Sequence, residues 1–229
     1  MKNNNKFRLD VWGAITLGTI ALYALFLLYP MAYLIRQSVL DPDTGSFTLA
    51  YFTKFFSKSY YFETLINSFK VSITATVLSI AIGTPLAYLF TIFKIKGKSV
   101  LNILIVVASM SAPFIGAYSW ILLLGRSGVI TAFFKNLGIA IPDIYGFGGI
   151  VLVMTLQLFP LVFLYAKGAL KNIDNSLIEA AENLGCSGIA CFFKVVVPLI
   201  MPTLLAAALL VFMRSFADFG TPMLIGEGY

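Results

Sequence analysis

The stretch Val71–Phe93 reads VSITATVLSIAIGTPLAYLFTIF and contains 23 consecutive residues without a charged side chain. An α-helix needs about 20 apolar residues to cross the hydrocarbon core of a bilayer. The chain has four more charge-free runs of similar length, which extend from Val11 to Ile35, Ser99 to Gly125, Ile144 to Ala166 and Val195 to Met213. Because such runs are too long for membrane β-strands, the sequence predicts an all-α, polytopic transmembrane helical bundle with five visible spans.

The composition excludes a soluble enzyme. Hydrophobic residues make up 59% of the chain and charged residues 11%, and the mean hydropathy is +0.92. A compact soluble domain of this size has too little interior to hide so much apolar surface. The chain also has no histidine, which removes histidine metal sites and Ser–His nucleophiles. We therefore predict no catalytic residue, no metal site and no cofactor.

We predict one transmembrane domain over residues 1–229. Its spans lie at about 11–35, 67–93, 99–124, 147–166 and 195–216, with interfacial segments at 47–62 and 127–137 on the outer side. If the N-terminus is inside, the inner segments carry nine lysines and arginines and the outer segments five. This bias places the N-terminal segment Met1–Asp10 and the loop 167–194 in the cytoplasm. The predicted location is the bacterial cytoplasmic (inner) membrane.

Gly97-Lys98-Ser99 has the appearance of the end of a phosphate-binding loop. The full pattern requires a glycine five residues before Gly97, where this chain has Ile92. The chain is therefore not expected to bind ATP there, and ATP hydrolysis would have to come from a partner subunit.

The loop between the fourth and fifth spans contains a short predicted helix. Ser176 and Glu179 have the spacing of a capping box, Gly185 is placed to end the helix, and Ser187 is placed to cap the next one. About two helical turns are not stable alone, so this helix needs a surface to pack on. From spacing alone, an ordinary loop with a capped helix is the favoured interpretation of these residues.

A longer pattern in the same loop resembles a known family. Glu179-Ala180-Ala181, three residues, Gly185, nine residues, Val195, one residue and Val197-Pro198 is similar to the "EAA" signature of binding-protein-dependent ABC importer permeases (type I, MetI-like transmembrane domain). Valine at 195 and 197 replaces the isoleucine and leucine of the family pattern. The resemblance covers about residues 60–229.

The resemblance implies that the short helix is a coupling helix that docks on a cytoplasmic ATPase. The docking residues carried over are Glu179, Ala180, Ala181 and Gly185. Replacing Gly185 with aspartate is expected to leave membrane insertion intact and to weaken ATPase binding.

Partners follow from the same resemblance. They are a cytoplasmic ABC ATPase dimer, an extracytoplasmic substrate-binding protein and a second permease half, which is a homodimer mate or a related permease. The bilayer surrounds the chain, and no nucleic acid partner is expected. The family core commonly has six spans, so this chain is expected to lack the last span or a second half.

The segment Ser215–Pro222 resembles the subgroup that imports ferric iron, polyamines and phosphonate- or thiosulfate-like solutes, and ferric iron is the favoured substrate. Polyamines and phosphonate- or thiosulfate-like solutes remain open. Four polar residues near the spans are candidate pathway residues, namely Lys70, Gln157, Arg214 and Asp218. Each also has a structural interpretation, because Lys70 can reach the interface, Gln157 can bond a neighbouring helix, and Arg214 and Asp218 can pair at a spacing of four. Five prolines within or at the ends of spans predict kinks, namely Pro30, Pro85, Pro113, Pro160 and Pro202.

Other classes of membrane protein fit less well. A secondary transporter or ion channel predicts inverted repeats and acidic residues inside the spans, and the sequence shows no clear repeat and no acidic residue within the five runs. An aspartyl intramembrane enzyme needs two mid-membrane aspartates, whereas Asp143, Asp174 and Asp218 lie near span ends. A scaffold protein is distinguished only by the loop signature.

Overall fold

The computed structural model describes residues 11–41, 44–93, 96–110, 112–139 and 142–226. Within these ranges the structure is helical and has no strand, and one antiparallel bridge joins Leu40 to Phe47. The predicted cytoplasmic segment Met1–Asp10 and the chain end at Tyr229 lie outside the described residues.

The helices follow each other along the chain. They are α1 Val11–Val39, α2 Ala50–Ser57, α3 Ser59–Ile92, α4 Lys98–Ser109, α5 Pro113–Leu124, α6 Val129–Asn136, α7 Phe147–Lys171, α8 Asn175–Asn183, α9 Gly188–Phe216 and α10 Gly220–Ile225.

Five helical stretches of the described chain are long and apolar enough to cross a membrane. They are Val11–Val39, Ser59–Ile92, Phe114–Asn136, Phe147–Lys171 and Gly188–Phe216. The third of these joins most of α5 to α6, and α4 is a shorter apolar helix. The predicted all-α transmembrane bundle is confirmed.

The charge-free run that begins at Ser99 is not one continuous helix. It forms α4 and α5, and Ala112 between them has extended backbone angles (φ −68°, ψ 141°). Pro113 follows Ala112, and a proline ring disfavours the helical conformation of the residue before it. The predicted span 99–124 is therefore a broken helix.

The chain divides into two compact units, residues 1–65 and 66–229. In the first unit, α2 lies in the aromatic segment that the sequence places at the interface. The Phe55 ring stacks on the Tyr61 ring with centroids 5.4 Å apart and meets the Phe56 ring edge-on at 5.3 Å. The interfacial position of this segment stays a prediction, as does the assignment of the whole chain to one domain.

The second unit is built around α7. At one end of α7, Phe163 packs edge-on against Phe90 of α3, and both belong to a core cluster that extends to Val196 and Ile200 of α9. Towards the other end, Met154 of α7 lies in a second cluster that includes residues of α3, α5 and α10. Because α7 contributes to both clusters, it sets the positions of the surrounding helices.

The backbones of α3 and α7 approach closely at Gly83. A Cβ atom at this position would lie 2.8 Å from the Val162 Cβ and 2.9 Å from the Phe159 carbonyl oxygen. Small residues allow membrane helices to pack in this way.

Two helices contain a π-helical turn shortly before a proline. In α1 the turn is Ala24–Leu28, before Pro30, and in α9 it is Phe192–Val196, before Pro198. Proline lacks the backbone N–H and crowds the carbonyl one turn earlier, so a locally wider turn relieves the clash. Pro85, Pro160 and Pro202 lie inside their helices.

Candidate functional site

The short helix α8 begins one residue before the predicted capping residue. Asp174 supplies the cap, because its Oδ1 accepts a hydrogen bond from the Ser176 backbone N–H at 3.0 Å. This backbone hydrogen bond, followed by one from the Ser176 side chain, lowers the pKa of Asp174. Ser176 is therefore the second helical residue, and the predicted capping role of Ser176 is wrong. A carboxylate at this position also interacts favourably with the positive end of the helix.

Gly185 ends α8 through its backbone conformation. It has φ +84°, and the Cys186 N–H donates to the Ala181 carbonyl oxygen at 3.1 Å. A left-handed residue followed by this long-range bond is the Schellman arrangement, which glycine adopts without the cost of a Cβ. The predicted end of the helix at Gly185 is confirmed.

One side of α8 packs on the bundle and the other side is exposed. Ile178 packs against the core cluster that includes Phe163. On the opposite side Leu177 is 50% exposed and Leu184, just after the helix, is 90% exposed. Glu179 and Ala180 are exposed between them, and Ala181 is half-buried. We call Leu177, Glu179, Ala180 and Leu184 the α8 surface.

The turn after α8 leads directly into the buried part of α9. Ser187 occupies the cap position of α9, as predicted, but its side chain makes no capping hydrogen bond. Four residues later Cys191 is fully buried, and the Phe192 ring lies 4.7 Å from the Tyr88 ring of α3. The turn after α8 is therefore followed within a few residues by side chains packed into the bundle.

A cavity of about 420 Å³ lies where the break between α4 and α5 meets the middle of α7 and the C-terminal end of α9. Its lining includes three of the four candidate pathway residues, namely Gln157, Arg214 and Asp218. Lys70 does not line it and is exposed on α3. The tertiary structure thus brings together residues 61 positions apart in the sequence.

Asp218 acts as the cap of α10. Its Oδ1 accepts from the Gly220 N–H at 2.8 Å and from the Thr221 N–H at 3.3 Å, while its Oδ2 accepts from the Thr221 hydroxyl at 2.6 Å. Both carboxylate oxygens are engaged by neighbouring donors. In the described chain Asp218 forms no ion pair with Arg214, so the predicted Arg214–Asp218 pair is wrong.

Replacing Asp218 with alanine is expected to destabilise the protein by about 1–2 kcal/mol, because three donors lose their acceptor. Asp218→Asn keeps one acceptor oxygen and is expected to lose less. Thermal unfolding of the purified protein in detergent measures both effects. Identical unfolding temperatures for wild type and Asp218→Ala would show that the side chain has no capping role.

Arg214 and Gln157 face the cavity with unused polar groups. The described residues give the Arg214 guanidinium no ion-pair partner. The Gln157 amide nitrogen is buried without a hydrogen-bond partner and lies against Gly116 of α5, where a Cβ atom would be 2.4 Å away. The amide nitrogen therefore contacts the neighbouring helix but does not make the interhelical hydrogen bond that the sequence suggested.

Sequence reasoning missed several residues of these sites, among them Ser109, Phe114, Leu177 and Leu184. Ser109 and Phe114 line the cavity on either side of the helix break, and both lie inside a charge-free run where only Pro113 signals a change. Leu184 belongs to the α8 surface, and its position one residue before the helix-ending glycine was the available signal. An exposed leucine is visible only once the packing of α8 is known.

The sequence and the structure were compared with known proteins. Residues 68–229 match the family described as "Binding-protein-dependent transport system inner membrane component". A putative ferric transport system permease protein of Haemophilus influenzae is 29% identical over 212 residues, which cover 92% of this chain and 33% of that protein. A spermidine/putrescine transport system permease protein of the same organism is 28% identical, covering 97% of this chain and 79% of that protein. The chain thus spans about a third of the length of the ferric relative.

The fold has a counterpart of known structure. A bacterial alginate ABC transporter in complex with an alginate pentasaccharide-bound periplasmic protein superposes with a TM-score of 0.71 at 19% sequence identity. The match covers 96% of this chain and 78% of that chain. At this identity the likeness shows a shared fold.

Proposed function

Because the chain belongs to the family of binding-protein-dependent transport system inner membrane components, we propose that it forms part of the translocation pathway of an ATP-driven importer. In this proposal a cytoplasmic ABC ATPase docks on α8 and drives the transmembrane helices. The observation that carries it is the α8 surface, because a nine-residue helix with an exposed leucine at 90% needs a partner to cover it.

The proposed docking residues are Glu179, Ala180, Ala181 and Gly185, to which the structure adds Leu177 and Leu184. The small Ala180 side chain permits close approach, and Glu179 supplies a negative charge beside it. Leu184 is the apolar anchor, and Gly185 sets the turn that presents it. Ala181 acts indirectly, since it is half-buried and its carbonyl holds the turn.

The orientation follows from this docking. We place α8 and the N-terminus in the cytoplasm and the opposite end of the bundle towards an extracytoplasmic substrate-binding protein, in the inner membrane. The basic bias of the inner segments supports this placement. A complete pathway needs a second permease half, either another copy of this chain or a related permease, and an ATPase dimer beneath the two halves.

Ferric iron is the proposed substrate, with polyamine transport as the alternative because relatives of both kinds are similar to the chain. The cavity with Arg214 is the proposed passage. A guanidinium without an ion-pair partner among the described residues repels bare Fe³⁺ and a polyamine alike, so ferric iron would pass as a complex with anionic ligands. The same charge keeps phosphonate- and thiosulfate-like anions among the alternatives.

Reconstitution tests the function directly. The chain, its ATPase, its second half and its binding protein would be placed in liposomes, and ATP hydrolysis would be measured with the binding protein loaded with ferric iron, spermidine or a phosphonate. Stimulation by ferric iron alone supports the proposal. Stimulation by spermidine alone would support the permease role but make a polyamine the substrate in place of ferric iron. Failure of the ATPase to associate with the chain would overturn the permease role itself.

Replacing Arg214 with glutamine is expected to reduce substrate uptake at least about tenfold, since one lost hydrogen bond between a charged group and the substrate is worth roughly 1.5–3 kcal/mol. ATPase recovery and unfolding temperature should stay unchanged because Arg214 has no described ion-pair partner. Arg214→Lys should retain part of the uptake. Lys70→Gln is the matched control, as it removes a cation that does not line the cavity. If Lys70→Gln reduced substrate uptake as much as Arg214→Gln, a specific role for the cavity would be contradicted.

A further inference from the structure

Three lysines share a second cavity at the opposite end of α7 from Gly149. The cavity has a volume of about 340 Å³ and lies where α4 begins and α7 ends. Lys98, Lys167 and Lys171 line it together with the polar side chains of Ser99 and Asn102. None of its described lining residues is acidic. Three ammonium groups around one space repel each other unless an anion lies between them.

The structure holds one of these lysines in place. The Lys167 ammonium donates a hydrogen bond to the Asn102 Oδ1, and it lies 5.4 Å from the centre of the Phe163 ring. Lys167 and Asn102 are both partly buried, and they belong to different helices. Lys167 is thus oriented by an amide oxygen and an aromatic face, neither of which neutralises its charge.

The first turn of α4 adds to the positive potential. Lys98 and Ser99 are the first two residues of this twelve-residue helix, and both line the cavity. The N–H groups of a first helical turn have no partner within the helix and carry the positive end of the helix dipole. This helix end lies beside three lysines, so the cavity offers both charge and hydrogen-bond donors to an anion.

The surface beside the cavity is apolar and exposed. Val100 is 62%, Ile103 60% and Leu104 58% exposed on α4, and Phe93 just after α3 is 55% exposed. These residues follow directly on the polar lining in the sequence. An anion with an attached hydrocarbon chain matches this combination, because the head would meet the lysines while the chain covers the leucine, isoleucine and valine side chains.

We propose that this cavity binds the phosphate group of an anionic phospholipid. The lipid belongs to the leaflet on the α8 side, which is the cytoplasmic leaflet under the orientation proposed above. Its head is held by Lys98, Lys167 and Lys171, with the Ser99 hydroxyl as a further donor. The site is separate from the α8 surface and from the cavity that contains Arg214.

The test uses the full chain purified in detergent, with retained lipid measured by native mass spectrometry. Phosphatidylglycerol, phosphatidylcholine and inorganic phosphate are added in separate arms. We expect wild type to retain phosphatidylglycerol at least tenfold better than phosphatidylcholine. The triple variant Lys98→Gln, Lys167→Gln, Lys171→Gln is expected to lose this preference. The matched control Lys54→Gln, Lys58→Gln, Lys135→Gln removes the same charge at lysines that do not line the cavity, and it should keep the preference.

The other outcomes overturn the proposal. Equal retention of both lipids by wild type, or an unchanged preference in the triple variant, would mean that the cavity is not a lipid site. Displacement of phosphatidylglycerol by millimolar inorganic phosphate would assign the cavity to a soluble phosphate in place of a lipid. If the triple variant does not fold, the single variant Lys171→Gln takes its place, because Lys171 is exposed and its replacement should not disturb the fold. An undiminished preference for phosphatidylglycerol in Lys171→Gln would also overturn the proposal.

Discussion

Gly149→Ala is expected to yield little or no correctly folded protein. An ideal Cβ at Gly149 would lie 1.4 Å from the Ile144 carbonyl oxygen and 2.5 Å from its carbonyl carbon. The first distance is that of a covalent bond, so the backbone before α7 must move. Overpacking of a core costs about 1–3 kcal/mol even where side chains can adjust, and here the obstructing atoms are backbone. We expect the free energy of unfolding to fall by at least about 3 kcal/mol.

The destabilisation caused by Gly149→Ala should extend beyond α7. The backbone segment that would be displaced includes Gly146, whose N–H donates to the Ile225 carbonyl oxygen at the end of α10 at 2.8 Å. The start of α10 carries the cap made by Asp218, which lines the cavity with Arg214. A shift before α7 therefore disturbs the proposed passage as well.

The neighbouring glycine is the matched control. An ideal Cβ at Gly148 would have no atom within 4 Å. Gly148→Ala is therefore expected to be neutral or slightly stabilising, because alanine has a higher helix propensity than glycine. Fluorescence-detected gel filtration of detergent extracts, followed by thermal unfolding, measures both variants. Similar yields and melting temperatures for the two would show that the chain before α7 is not packed as described.

Leu184→Asp is expected to reduce recovery of the ATPase with the chain at least tenfold while leaving the fold intact. Leu184 is 90% exposed, so it contributes little to the packing of its own chain. Burying a leucine in a partner is worth about 1.5–3 kcal/mol, which corresponds to roughly ten- to hundredfold in affinity. An aspartate there loses this contribution and adds a charge that must be desolvated. Co-purification from mild detergent, with the ATPase quantified by mass spectrometry, is the measurement.

Two controls separate docking from general damage. Leu137→Asp makes the same change at an exposed leucine just after α6 and should leave ATPase recovery unchanged. Gly185→Ala and Gly188→Ala both place a Cβ in open space, but only Gly185 has a positive φ. The strain of a left-handed alanine is about 1–2 kcal/mol, so Gly185→Ala alone should weaken recovery. Full recovery with both Leu184→Asp and Gly185→Ala would exclude α8 as the docking helix.

Only some features of the short helix α8 were predictable from its local sequence. Its existence and its end at Gly185 were predictable, because glycine is the residue that tolerates φ +84°. Its start was misplaced, since Asp174 and Ser176 are both good caps and local sequence does not rank them. Which of its sides faces outward depends on Ile178 packing on the core, and that contact is not encoded by spacing alone.

The cavity shows where predictions from local sequence stop. Their positions in or near the apolar spans marked Gln157, Arg214 and Asp218 as unusual, yet spacing suggested an Arg214–Asp218 pair. In the structure the Asp218 carboxylate accepts hydrogen bonds from the first residues of α10 and forms no ion pair with the Arg214 guanidinium. The carboxylate of Asp218 bonds the donors of α10 because this helix begins at Gly220, only two residues after Asp218.

The sequence by itself determined the class of the protein. Charge-free runs of 19 to 27 residues are too long for membrane β-strands and form helices in lipid, and the loop between the last two runs resembles the family signature. Only the tertiary structure decided which polar groups meet. The break between α4 and α5 and the close approach of α3 to α7 bring together side chains far apart in sequence, because packing between helices depends on three-dimensional complementarity and not on periodicity.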